Sequence, residues 1–290
     1  MSQEHPGLTD PLDRRQFLAR LSATAALLSG HAAVPGEADS ETAPPLPAVG
    51  AKHGPRILEL RLDTAAPLRE MVDFYGEILE LPVRHESGDR VVITAGATEI
   101  IFSAVSGSGA PPFYHFAFNI PENKILDARS WQLKRSSLFL TPHHLRDPAF
   151  PDDVRHFRNW NAHSVFFWDP AGNVVEYIAR HDLANSARGP FSSRDILYAS
   201  EIAFVVDDVP ATASDLEATF SLAQYRSSSE VFHASGDERG LLLLFKRGRE
   251  IGDHLRDRPA PAAVFPTRAR IQGAASARYQ IPDYPYEIAI

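Results

Sequence analysis

Phe167-Trp168-Asp169-Pro170-Ala171-Gly172-Asn173-Val174-Val175-Glu176 is the stretch on which the fold turns. Asp-Pro fixes the entry of a tight turn, and Gly-Asn supplies residues that tolerate its exit. The runs on either side, His163–Trp168 and Val174–Ala179, are rich in β-branched and aromatic residues. They read as two antiparallel strands joined by that turn. Glu176 lies inside the second run, a carboxylate among apolar neighbours. Such a group needs a metal, a cation or a hydrogen-bond partner.

Upstream, Phe113–Ile120 reads as another strand, and Pro121–Leu133 as a helix. Ser136–Asn161 is a charged insertion holding Pro142-His143-His144. The same order of elements occurs earlier. Ile57–Leu62 alternates with period two, Pro67–Leu79 is apolar at helical spacing, and Val91–Thr94 and Glu99–Phe102 are short strands joined through Gly96. It returns from Glu201–Val206, through a helix over about 211–220, to strands near 230–234 and 240–245. His115-Phe-Ala-Phe-Asn-Ile and Glu201-Ile-Ala-Phe-Val-Val match in pattern, and Glu59-Leu-Arg-Leu-Asp-Thr is a looser relative. The sequence therefore implies an α+β protein of repeated βαβββ modules, with the third copy partial. Short alternating stretches in the tail, such as Tyr286-Glu287-Ile288, are candidates for further strands.

Composition narrows the function classes. The chain has 290 residues, 44% hydrophobic and 23% charged, with a formal charge of −8. That balance argues against a nucleic-acid partner, which would require a basic face. No run of about 18 apolar residues suggests a stable membrane span. Without cysteine there are no disulfides, no thiolate metal sites and no cysteine nucleophile. What remains is small-molecule chemistry.

Phe74-Tyr75 with Leu79-Glu80-Leu81-Pro82-Val83, and the Asp169–Glu176 string, resemble the two signatures of the vicinal-oxygen-chelate superfamily, the glyoxalase, bleomycin-resistance and extradiol-dioxygenase group. The likeness covers about residues 56–180 well and 200–247 more weakly. It implies that two modules pair into a cup-shaped mixed sheet enclosing a divalent metal. The first and last strands of a module supply the ligands, here His115 and Glu176. Strand alternation agrees: with Phe116, Phe118 and Ile120 against the helix, His115, Ala117 and Asn119 face the cup.

These positions define the expectations. Residues 56–184 form a paired module domain, 196–250 a third partial module taken as structural, and 251–290 a C-terminal extension. Glu59, His115 and Glu176 form a three-ligand set, open to water or substrate. Imidazole and carboxylate suit Fe, Mn, Zn or Ni. His163 or Glu59 moves a proton. Glu59 has a second reading as an ion-paired strand residue, and His163 as a locally bonded strand-start residue. Arg61 is either an anion contact or an ion-pair partner. The leading function is a metal-dependent lyase or ring-cleaving dioxygenase on a small oxygen-chelating substrate. The alternative is a metal-free cup that binds or sequesters a small molecule. A homodimer is left open.

The N-terminus carries a different kind of signal. Asp13-Arg14-Arg15-Gln16-Phe17-Leu18 followed by a mildly apolar run to Ala33 resembles a twin-arginine export signal, over about 1–34. A Pro-rich linker follows over 35–55. The expected location is periplasmic or extracellular.

Overall fold

In the computed structural model the described residues are 55–107, 109–226, 228–251, 261–272 and 278–290. The export signal and nearly all of the linker lie outside them. Module one runs β1 (Ile57–Thr64), α1 (Leu68–Val72, continuing as a π-helical turn Asp73–Ile78), β2 (Val83–Ser87), β3 (Arg90–Ala95) and β4 (Thr98–Ala104). Module two runs β5 (His115–Ile120), α2 (Ile125–Leu133), β6 (Arg155–Phe157), β7 (Ala162–Trp168) and β8 (Val174–Arg180). Module three has β9 (Tyr198–Val206), α3 (Val209–Phe220), β10 (Phe232–Asp237) and β11 (Gly240–Lys246). The tail adds β12 (Thr267–Ile271), β13 (Arg278–Gln280) and β14 (Tyr286–Ala289). The charged insertion is thus more than a loop, because it supplies β6.

These strands form two seven-stranded mixed sheets. One has the order β13-β14-β12-β1-β4-β3-β2, the other β10-β11-β9-β5-β8-β7-β6. Module two therefore pairs with module three, through antiparallel β5 and β9, and module one with the tail, through β1 and β12. This corrects the expected pairing of modules one and two within 56–184. The physical reason is edge pairing: β5 and β1 each need a partner for their free edge, and the following module, or the tail, provides it.

The first sheet buries mainly one face, while the central strands of the second are buried on both. Phe74 and Tyr75 of the first helix are fully buried, and Phe74 meets Phe167 of β7 at 6.3 Å between ring centroids. Each such burial contributes about 1.5–3 kcal/mol. The Asp169–Asn173 turn forms as its residues dictate. Gly172 has φ +81°, and its N–H donates to the Asp169 carbonyl at 3.0 Å. Asp169 accepts from the Asn173 backbone N–H (2.8 Å), the Asn173 side-chain amide (2.7 Å) and the Tyr75 hydroxyl (2.8 Å). The Asn173 side-chain oxygen in turn accepts from the Tyr114 backbone N–H at 2.8 Å, one residue before His115. The turn thus sets the register of β5 against β8.

Candidate metal centre

In the sheet shared by modules two and three, one face is lined by Ala117, Phe166, Val174, Ile178, Ala203 and Leu243, an apolar wall. His115, Glu176 and Glu201 sit on this face, all three buried. Register explains how. Ala117 of β5 lies opposite Glu176 on one side and Glu201 on the other. His115 and Glu201 hold equivalent places in the first strands of their modules. The place equivalent to Glu176 in module three, the residue opposite Ala203, is Leu243. The result is three polar donors and one apolar position.

The donor atoms of His115, Glu176 and Glu201 all lie within 4.8 Å of one another. His115 Nδ1 is 3.0 Å from the Val174 carbonyl, which can only accept, so the proton is on Nδ1 and the Nε2 lone pair faces the cup. His115 Nε2 is 3.6 Å from Glu176 Oε2. The imidazole lies between the Phe245 ring (6.1 Å, interplanar 10°) and the Phe166 ring (6.3 Å). Glu176 Oε1 is buried with no hydrogen-bond partner among the described residues. Glu201 is paired with the fully buried Arg180, whose guanidinium faces the rings of Trp160 and Tyr225 at 5.3 and 5.8 Å. Burial, and then the Glu201 carboxylate beside it, hold the Glu176 carboxyl well above the usual carboxylate range. Burial also raises Glu201, against the pull of Arg180.

This donor set fits a divalent cation. Arg180 pairs with Glu201, and Arg180 and Arg155 both pull on Glu176, yet burial still pushes that carboxyl toward its neutral form. A cation reached by Glu176 Oε1 would satisfy that orphaned atom and favour its charged form. One imidazole nitrogen and two carboxylates are ligands of Fe, Mn, Zn or Ni type.

The structure brings together His115 and Glu176 and separates the other two expected site residues from them. Glu59 lies in the other sheet, opposite Arg270 of β12, where its Oε1 accepts from Arg61 Nε at 2.8 Å. It lines a charged hollow of about 460 Å³ with Arg61, Arg268, Arg270, Arg278 and Glu287. Glu59 as a ligand or proton carrier for the His115 centre is therefore corrected, and its ion-paired reading stands. The cause is the module pairing, which gives β5 the partner β9 in place of β1. Glu99, paired with Arg84 at 3.0 Å, belongs to the same distant sheet.

His163 is corrected as a proton carrier at the cup. It pairs with Ala179 and His156, and alternation turns it to the outer face, while Ser164 and Phe166 take the inner one. Burial first, and then the neighbouring His156, lower its pKa to about 4. His143 and His144 are exposed.

Sequence reasoning missed Glu201 and Arg180 as members of the site. Glu201 carried a signal, its alignment with His115. Arg180 carried none beyond a charge closing an apolar strand.

No known family profile and no curated protein sequence matches the chain. Solved structures do. A proposed dioxygenase from Bacillus subtilis superposes with a TM-score of 0.51 at 16% identity, covering 81% of this chain and 84% of its own. Glyoxalase I from Zea mays gives 0.46 at 13% identity over 82% and 93%. A glyoxalase/bleomycin resistance protein/dioxygenase from Nocardioides gives 0.34 at 18% over 50% and 93%. The first of these carries the fold comparison. With the paired βαβββ modules, it shows that the chain has the vicinal-oxygen-chelate fold.

Proposed function

We propose that the protein is a divalent-metal-dependent enzyme acting on a small oxygen-chelating substrate, with His115, Glu176 and Glu201 as the metal ligands. The observation that carries the reading is the convergence of these three buried donors around the orphaned Glu176 Oε1. When bound, the ion supplies Lewis-acid polarisation of a substrate oxygen. The chain's own residues do the rest. Val174 fixes the His115 tautomer by accepting from Nδ1. Arg180 holds Glu201 in place. The apolar wall excludes water and strengthens each of these interactions.

A second reading, a metal-free binding cup, is favoured by two observations. Arg180 already neutralises Glu201, and burial holds Glu176 toward its neutral form, so the pair is stable without an ion. Metal analysis of the full chain, produced without an affinity tag, separates the readings. The enzyme reading expects tightly held metal that is lost in His115→Ala and Glu176→Gln. Metal content unaffected by both variants assigns the cup to binding alone.

Export through the Arg14-Arg15 signal is part of the same proposal, which places the enzyme outside the cytoplasm.

A further inference from the structure

On the outer face of the same sheet, the charged insertion folds back and brings Asp147 and His156 onto His163. The three donor atoms lie within 4.8 Å of one another. His163 Nε2 is 3.3 Å from Asp147 Oδ2, and His156 Nδ1 is 3.8 Å from the same oxygen. A tetrahedral ion with bonds near 2.0–2.1 Å keeps its ligand atoms about 3.3 Å apart. The first separation has this value and the second is close to it. The second is also too long for a hydrogen bond, and His156 Nδ1 is buried with no hydrogen-bond partner among the described residues.

The surroundings of His163 have the character of a ligand's support. Its Nδ1 lies 2.8 Å from His181 Nε2, and His181 Nδ1 lies 3.5 Å from Glu122 Oε2. With Nε2 on an ion, Nδ1–H donates to His181, whose own Nδ1–H faces the Glu122 carboxylate. This is the imidazole-to-carboxylate chain that orients metal-bound histidines and makes them more basic. Phe150 stacks on the His163 ring at 4.0 Å and closes one side. The His156 and His163 rings are parallel at 4.4 Å, so their lone pairs meet on one ion only after the rings rotate out of the stack.

We propose that Asp147, His156 and His163 form a second divalent-cation site of zinc-like preference, distinct from the His115 centre and lying across the sheet from it. Two imidazoles and one carboxylate suit a borderline ion, and water completes the fourth position. The site fastens the insertion, through Asp147 and the β6 residue His156, to β7. Its role is structural, and it ties the segment 136–161 to the module that carries His115 and Glu176.

The test is a Co²⁺ titration of the full chain without an affinity tag, followed by visible absorption, with limited proteolysis in parallel. His156→Ala and Asp147→Asn change partly exposed side chains, so folding is checked by circular dichroism and expected to hold. Each should weaken one equivalent of Co²⁺ by more than about 100-fold, and His181→Gln by about 10–100-fold. In the wild type, Co²⁺ or Zn²⁺ should slow cleavage within 136–161, and in His156→Ala it should not. Glu176→Gln should leave this equivalent and its protection intact, so failure of the inner centre reads separately. Binding and protection unchanged in both His156→Ala and Asp147→Asn would overturn the proposal.

Discussion

The hydrogen bond from Tyr75 to Asp169 joins the two motifs that sequence reading singled out, across 94 positions. Asp169 is fully buried and accepts three hydrogen bonds, so losing one leaves a charge short of a donor. Tyr75→Phe should destabilise the protein by about 1.5–3 kcal/mol, measured by urea unfolding at pH 7. Burial outweighs these bonds and lifts the Asp169 pKa to about 6. The folded carboxyl then keeps its proton between about pH 4 and 6, where the unfolded one has released it. Its contribution is therefore complete below about pH 4 and falls as pH rises through 6. Asp169→Asn lacks this titration. Its stability relative to wild type should improve from pH 4 to about 6.5 and then level off. A growing deficit over that window would show that the hydrogen bonds outweigh burial. Phe74-Tyr75 and the Asp-Pro turn were both legible as residues. Their contact was not, because a sequence read piece by piece does not say which turn a helix will meet.

Among the described residues, periodicity gave most of the strands and the three α-helices, and the register of β5 with β8 agrees with the face expected for His115. It failed where pairing decides. Whether the free edge of β5 meets β1 or β9 depends on how the chain returns, and local alternation is the same in either case. That single choice moved Glu59 out of the cup and Glu201 into it. His163 failed for a different reason: its strand was read correctly, but its parity relative to Phe166 was not applied. The β3–β4 turn shows how the sheets are held together. Gly96 has φ +56°, and a Cβ there would sit 2.0 Å from the Leu197 carbonyl oxygen, while Ala97 N–H donates to that oxygen at 2.9 Å. Gly96→Ala should cost at least about 2 kcal/mol from the left-handed backbone and the clash, read as a lowered Tm.

For the whole molecule, the pairing of module two with module three within one chain means that the sheet carrying His115, Glu176 and Glu201 is completed without a second copy. No helix among the described residues is long and apolar enough to cross a membrane. Arg14→Lys with Arg15→Lys should retain the protein in the cytoplasm on fractionation, and unchanged export would show the arginines to be incidental. The central claim is that the third ligand comes from module three. The most direct test is the metal content of Glu201→Gln beside Glu59→Gln, each against wild type, by elemental analysis of the untagged chain. The account predicts that Glu201→Gln loses one equivalent and Glu59→Gln none. Loss in Glu59→Gln with retention in Glu201→Gln, or no change in either, would contradict it.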